Sequence, residues 1–115
     1  MSGDPQPLLG EVEFLVLLAV LRLEGDAYAV PIRDLIQQET GVNVSRGTVY
    51  VTLERLERKG YVESWFSQPL ATRGGKARRL FKLQPDGMTA LTHARRAVDR
   101  LATGTALASP AWTRT

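Results

Sequence analysis

Apolar residues in the first part of the chain recur every three or four positions, which is the spacing of amphipathic helices. This spacing predicts a first helix over residues 9–24, ended by the Gly-Asp pair at 25–26. It predicts a second helix from about Val30, with Pro31 in the first turn and Gly41 at the end.

The third predicted helix differs from the first two in what it exposes. It runs from Ser45, a good N-cap residue, to Lys59, and Gly60 follows it. Its core-facing residues are Val49, Leu53 and Leu56. The opposite side of the first two turns carries small hydroxyl and methyl-bearing side chains, with no acidic residue before Glu54. A merely solvated helix is typically rich in Lys, Glu and Gln, so this departure indicates a contact surface.

The second half of the chain predicts a β-hairpin and then one more helix. Residues 61–66 and 78–83 alternate between apolar and polar, as strands do. Between them lies a basic loop without an acidic residue, in which Pro69 and a Gly-Gly pair favour turns. A last helix follows residues 84–87. Its apolar positions are Met88, Leu91, Ala94 or Ala97, Val98 and Leu101.

This order of elements is that of a winged helix-turn-helix, in a fold that is mainly α with a small β-hairpin (α+β). The second and third helices form the helix-turn-helix, with the turn at about residues 41–44, and the hairpin is the wing. We expect flexible tails at residues 1–8 and 104–115.

Composition excludes several kinds of site. The 115 residues include no cysteine, which excludes a disulfide scaffold, a thiolate metal site and a cysteine nucleophile. The longest apolar run, residues 14–21, is too short to cross a bilayer, so we expect a cytoplasmic location. His93 is the single histidine, and it has no metal-ligand spacing, nucleophile motif or cofactor fingerprint around it. We therefore expect no enzymatic activity, no metal and no cofactor.

Charge is strongly polarised along the chain. Residues 1–44 carry two basic and seven acidic side chains, whereas residues 45–82 carry nine basic and three acidic ones. A compact basic segment points to a polyanionic partner, although a solvated surface would also account for charge alone. Together with the predicted fold, it makes double-stranded DNA the expected partner.

Two elements are expected to meet the duplex. The third helix would lie in the major groove, where base edges are distinguishable, and the wing would follow the phosphates or a narrow minor groove. The helix residues expected to bind DNA are Ser45, Arg46, Thr48, Tyr50, Val51, Thr52 and Arg55. The wing residues are Arg73, Gly74, Gly75, Lys76 and Arg78.

Roughly residues 9–101 resemble the PadR family of bacterial winged-helix transcriptional regulators. The most specific segment is "RGTVYVTLERLERKGYVES", which is close to the family signature G-x-x-Y-x-x-L-x-R-L-E-x-x-G-[YL]-[VI]. The others are the apolar first helix followed by "AYAVPIRDLI", and "TRGGKARRLFKLQPDG". The residues that match the signature are Tyr50, Leu53, Arg55, Leu56, Glu57 and Gly60.

The resemblance implies a homodimer that presents two recognition helices to a palindromic operator. It also implies a repressor, commonly one that answers to a small-molecule effector or another signal. Residues 9–83 would be the DNA-binding domain, and residues 85–103 the dimerisation helix. The dimer-interface residues would be Leu15, Leu18, Met88, Leu91, Ala94, Val98 and Leu101.

Two roles stay open within the resemblance. The Tyr50 hydroxyl reaches a phosphate at the edge of the interface, or the ring packs against the wing. Arg55 and Glu57 contact DNA, or they form internal ion pairs. The chain also has Gln84-Pro85 where the family typically has a Thr, so a different cap must start the last helix.

An alternative class of function is a winged helix that serves as a protein-interaction module, without sequence-specific DNA binding. Such surfaces need apolar anchors, which Trp65, Phe66 and Leu70 could supply. Packing at the base of the wing is the simpler interpretation of Trp65.

Overall fold

The computed structural model of the protein describes residues 8–67 and 77–108. These residues form four helices and a two-stranded antiparallel hairpin. The elements are α1 (Glu11–Arg22), α2 (Ala29–Thr40), α3 (Arg46–Arg58), β1 (Val62–Phe66), β2 (Arg79–Leu83) and α4 (Pro85–Ala102). The predicted fold class is confirmed, and the element order is that of a winged helix.

The ends of α2 and α3 lie where capping residues place them. The Ser45 Oγ accepts the Thr48 N–H at 3.0 Å and thereby caps α3. Gly41 (φ 76°) ends α2 and Gly60 (φ 81°) follows α3, both in the left-handed conformation that other residues rarely adopt. The helix-turn-helix predicted from these residues is therefore confirmed.

The first helix is shorter at both ends than the predicted range 9–24. It begins after Gly10, whose N–H donates to the Glu13 carboxylate at 3.0 Å. It ends near Leu23, whose carbonyl oxygen accepts the Asp26 N–H at 2.7 Å. The spacing of apolar residues contains no information on either hydrogen bond, and the predicted helix was therefore too long at both ends. Within residues 8–67 and 77–108, no helix has both the length and the apolar character needed to span a membrane.

The hydrophobic core draws residues from every helix and both strands. The predicted core residues of α3, which are Val49, Leu53 and Leu56, are fully buried in it. From β2 the core receives Phe81, whose N–H also donates to the Ala27 carbonyl oxygen at 2.8 Å. The hairpin is thus fixed against the connection between α1 and α2.

The two strands remain paired beyond their last ladder residues. β1 and β2 are antiparallel, with Val62 opposite Leu83 at the base of the hairpin. At the other end, the Ser67 N–H donates to the Arg78 carbonyl oxygen at 2.8 Å, and the Arg78 N–H donates to the Ser67 Oγ at 2.9 Å. These bonds hold together the two ends of the predicted wing loop.

α4 starts where the chain packs tightly against the base of the hairpin. Pro85 occupies the first turn, where its missing N–H leaves no unpaired donor, so the helix starts without the family's Thr. Gly87 is buried, and a Cβ there would lie 2.3 Å from the Tyr61 carbonyl oxygen and 2.7 Å from Leu83 Cδ1. The same carbonyl oxygen accepts the Gln84 N–H at 2.9 Å. Position 87 therefore has no room for a side chain.

An ion pair connects the start of α1 to the end of α3. The Lys59 Nζ donates to Glu13 Oε2 at 2.8 Å, and Glu13 is buried. Burial would raise the pKa of Glu13, but hydrogen bonds from Lys59 and Gly10 and the nearby charges of Lys59 and Arg55 outweigh it. The pKa of Glu13 is therefore lowered below its ordinary value.

We expect Glu13→Gln to lower the free energy of unfolding near pH 7 by about 1–2 kcal/mol, because it removes a hydrogen bond between charged groups. The folded-state pKa lies below the unfolded one, so this stabilisation is complete near neutral pH. It is lost as the pH falls from the unfolded pKa, about 4.3, through the lower folded pKa. Urea denaturation near pH 7 and near pH 3 measures both, and the difference from the wild type should shrink at low pH.

The matched control is Glu11→Gln, which removes an exposed carboxylate from the same helical turn. If the two variants lose equal stability near neutral pH, the ion pair does not stabilise the fold.

Candidate nucleic-acid interface

The N-terminal half of α3 has an exposed side, which we call the outer face. Its exposed residues are Ser45, Arg46, Gly47, Thr48, Tyr50 and Val51, and Arg55 is exposed one turn farther along the helix. The Ser45 Oγ donates to the Thr48 Oγ1 at 2.9 Å, so the first turn presents two hydroxyl groups in a fixed arrangement. The β-branched residues divide between the two sides of the helix, because Val49 enters the core while Thr48 and Val51 point outward. The outer face contains no acidic side chain before Glu54.

Thr52 does not belong to this face, and its assignment as a DNA-binding residue is corrected. It is only 3% exposed. At about 100° per residue, Thr52 lies roughly 60° from Val49 around the helix axis, closer to the core stripe than to the outward side. A partner could not reach its side chain without disturbing the core.

Arg55 and Glu57, which the sequence left undecided, have different surroundings. Glu57 accepts a hydrogen bond from Arg79 and another from the Ser64 hydroxyl, both at 2.8 Å. Arg55 is exposed and forms no salt bridge in the described part of the chain. The internal ion pair is therefore made by Glu57, and Arg55 extends the outer face by one cationic group.

Tyr50 packs against the hairpin through Arg79, a residue absent from the predicted site. The Arg79 Nη1 donates to the Tyr50 hydroxyl, and the guanidinium carbon lies 5.3 Å from the ring centre. Burial opposes the charge of Arg79, but hydrogen bonds to Tyr50, Glu57 and Glu54 outweigh it and raise the pKa of Arg79. The alternation of β2 contains a signal for this, because Arg79 shares a face with the buried Phe81.

Arg78, which directly precedes β2, and Arg79, the first residue of β2, face the start of α3. Arg78 is exposed, and its guanidinium carbon lies 4.8 Å from the centre of the Tyr28 ring. Arg46, Tyr50, Arg78 and Arg79 line one cleft of about 540 Å³, which also reaches the start of α2. The fold thus gathers cations from α3 and β2 on one side of the molecule. The other predicted wing residues, Arg73, Gly74, Gly75 and Lys76, lie outside the described residues.

The residues predicted for the dimer interface separate into exposed and buried sets. Leu18, Met88, Val98 and Leu101 are exposed, and Leu15 is half-buried against the core. Leu91 and Ala94 are 4% and 3% exposed in a single protomer. Their assignment to the dimer interface is corrected, because both are already buried within one protomer, in which α4 packs on α1.

A second cleft lies between the end of α1, the hairpin and the start of α4. It measures about 750 Å³, and its lining includes Trp65, Met88 and Lys82. Trp65 is exposed rather than packed at the base of the wing, since it alternates along β1 with Ser64, which faces α3. In the described residues no group of three or more His, Asp or Glu side chains could hold a metal.

Comparison with known proteins identifies related regulators. A model of the transcriptional regulator PadR-like family matches residues 17–93. The transcriptional regulator Rv3488 of Mycobacterium tuberculosis is 45% identical over 62 residues, which are 54% of this chain and 54% of that protein. The match thus spans about half the length of this relative.

Solved structures of similar fold include a transcriptional regulator from Clostridium thermocellum, with a TM-score of 0.64 and 24% identity, covering 78% of this chain and 82% of that one. Bacillus subtilis PadR in complex with operator DNA has a TM-score of 0.61 and 15% identity, covering 71% and 45%. At these identities the likeness concerns the fold. The family match extends from α1 into α4 and covers more than half of the chain. On that match, the chain belongs to the PadR-like family of transcriptional regulators.

Proposed function

We propose that the protein is a sequence-specific DNA-binding repressor, which occupies a palindromic operator as a homodimer. The observation that carries the proposal is the exposed side of the first two turns of α3, where hydroxyl, methyl and guanidinium groups are presented with no acidic residue before Glu54. The complex of Bacillus subtilis PadR with operator DNA, on a similar fold, supports it. Repression follows if the occupied operator overlaps the site that the polymerase needs.

In this proposal the first two turns of α3 enter the major groove, which is wide enough for a helix and presents a distinct pattern for each base pair. Arg46 suits the two acceptors of a guanine edge, and the methyl groups of Thr48 and Val51 suit a thymine methyl. Arg55 and Arg78 flank this surface and would contact phosphates, which orient the protein without reading sequence.

A second copy of the chain is proposed to cover the exposed apolar residues of α1 and α4. Leu18 and Met88 border a groove between these helices, and Val98 and Leu101 are exposed farther along α4. Exposed large apolar side chains grouped on adjacent helices indicate an interaction site. Because a two-fold dimer places its recognition helices symmetrically, its operator should contain inverted half-sites.

We also propose that the cleft lined by Trp65 receives a small-molecule effector. Its volume of about 750 Å³ lies within the range of small-molecule sites. A ligand in it would contact the hairpin and Met88 of α4 at once. It could therefore favour one arrangement of the wing relative to the dimer, which is what an effector needs in order to change DNA affinity.

Arg46→Ala and Thr48→Ala should reduce the preference for operator over random DNA. We expect each to weaken operator binding by about 1–3 kcal/mol for a base contact, with a smaller effect on random duplex. The operator is first obtained by selecting bound fragments from a random library, and affinities are then measured by fluorescence anisotropy. Lys82→Ala, which removes an exposed cation on the hairpin side of the Trp65 cleft, is the control. Equal losses on operator and random DNA would contradict direct readout.

The alternative function, a protein-interaction module, is favoured by one observation, the exposure of Trp65 and Phe66 on β1. A salt titration separates the two functions. DNA binding should weaken steeply as salt concentration rises, because phosphate contacts release counterions. Binding through an apolar protein interface should change little.

A further inference from the structure

The Arg79 side chain joins both strands of the hairpin to α3. Its Nη2 donates to Glu57 Oε1 at 2.8 Å, its Nε to Ser64 Oγ at 3.2 Å, and its Nη1 to Glu54 Oε2 at 3.4 Å as well as to the Tyr50 hydroxyl. The Ser64 hydroxyl lies 2.8 Å and 3.0 Å from the two Glu57 carboxylate oxygens. One guanidinium therefore connects β2 with β1 and with three residues of α3.

These contacts leave Arg79 poorly placed to serve as a phosphate ligand. All three of its nitrogens already donate to protein acceptors, and its guanidinium carbon lies 5.3 Å from the ring centres of both Tyr50 and Phe81. Arginine presents its five donors in a rigid planar fork, so reaching a phosphate would mean breaking several of these bonds together.

The same contacts matter for the charge that α3 presents. Glu54 and Glu57 are the acidic residues of α3, and carboxylates beside a phosphate backbone oppose binding. Arg79 forms salt bridges with both, at 3.4 Å and 2.8 Å. Their charges are thus offset inside the protein, and Tyr50 is held against the hairpin at the edge of the outer face.

We propose that Arg79 is a positioning residue for DNA binding, which fixes the hairpin relative to α3 so that both meet the duplex as one rigid surface. The proposal rests on the proposed function and adds to it a residue that does not itself touch DNA. A surface that is already ordered loses less conformational freedom on binding, so breaking the network should weaken binding even where no DNA contact is removed.

Glu57→Gln gives a test in which the two explanations predict opposite signs. If charge alone matters, removal of a carboxylate from α3 should tighten DNA binding. If Arg79 positions the hairpin through Glu57, the substitution should weaken operator binding about fivefold, a modest value for residues that share one network. The probe is the duplex that the wild-type protein selects from a random library, labelled and titrated at fixed salt. A tighter complex would overturn the proposal.

Arg79→Lys is the second variant, because lysine keeps the charge and loses the fork. We expect it also to weaken operator binding about fivefold, with an unchanged slope of affinity against salt concentration, since no phosphate contact is lost. The matched control is Lys82→Gln, which removes an exposed cation from the same strand and, measured without any effector, should leave DNA affinity within about twofold. Wild-type affinity in Arg79→Lys, or a reduced salt slope, would assign Arg79 to charge or phosphate contact instead.

Measurements of stability and of backbone dynamics distinguish a loss of positioning from a loss of folding in these variants. Urea denaturation establishes that each variant is folded at the assay temperature. Heteronuclear NOE values for β2 amides, measured without DNA, should fall in Glu57→Gln and Arg79→Lys and stay unchanged in Lys82→Gln; unchanged values in all three would overturn the proposal. Failure of the proposed function gives a different result, because the wild-type protein would then select no sequence from the library.

Discussion

Gly87→Ala is expected to lower the free energy of unfolding by about 3 kcal/mol or more, the upper end of the effect of overpacking. The added Cβ would lie 2.3 Å from the Tyr61 carbonyl oxygen, and backbone atoms cannot move aside by changing rotamer. The start of α4 would have to shift away from the hairpin. That shift would stretch the hydrogen bond from the Gln84 N–H to the same carbonyl oxygen, which is 2.9 Å long. Urea denaturation monitored by circular dichroism measures the loss.

Gly47→Ala is the matched control, because it makes the same substitution in a helix that has room for it. The nearest atom to a Cβ at position 47 is the Ser45 Oγ at 3.9 Å, an ordinary contact. Alanine is also the better helix former by about 1 kcal/mol, so this variant should be as stable as the wild type or more stable. Equal stability of the two variants would contradict the close approach of position 87 to the Tyr61 carbonyl oxygen.

Apolar spacing and capping residues were sufficient to predict the fold. The features that predict it depend on residues close together in the chain. They are the apolar spacing of α3, its Ser45 cap and the two glycines at helix ends. The early end of α1 depends on a turn hydrogen bond between Leu23 and Asp26. Such a bond leaves no trace in the pattern of apolar positions.

The two buried residues of the predicted dimer interface, Leu91 and Ala94, show what a helical pattern cannot resolve. Leu91 and Val98 recur at helical spacing along α4, yet Leu91 is buried by α1 and Val98 is exposed. Helical spacing of apolar residues indicates that one side of a helix is buried, but not whether it is buried by the same chain or by another one. Deciding between the two requires the position of α1 relative to α4.

The candidate site was predictable where residues act alone and missed where they act together. Exposed residues such as Arg46 and Val51 follow from their positions on one helix. Arg79 forms its contacts with α3 only after the hairpin folds back, 25 residues from Glu54 and 22 from Glu57 along the chain. An internal ion pair was one of two roles that the sequence left open for Glu57, and only the fold shows that its partner is Arg79.

Val98→Asp combined with Leu101→Asp is expected to give a folded monomer with operator affinity reduced about 100-fold or more. Both residues are exposed in the protomer, at 58% and 85%, so the charges should not disturb its core. In the proposed dimer they would be buried without partners, which is strongly unfavourable. A monomer also loses the effective concentration that links two half-sites, a factor of about 10²–10⁴. Sedimentation velocity gives the oligomeric state, and fluorescence anisotropy gives the affinity.

Leu91→Asp cannot replace this variant, because Leu91 is buried within the protomer and its charge would unfold the chain. Gln38→Asp adds a carboxylate at an exposed position of α2 and controls for charge. The decisive comparison is between the full operator and a duplex with one half-site. One half-site needs only one recognition helix, so the variant should bind it as a wild-type protomer does. Equal losses of affinity on both duplexes would mean that the charges disturb the DNA-binding surface itself. A variant that remains dimeric would contradict an interface at the end of α4.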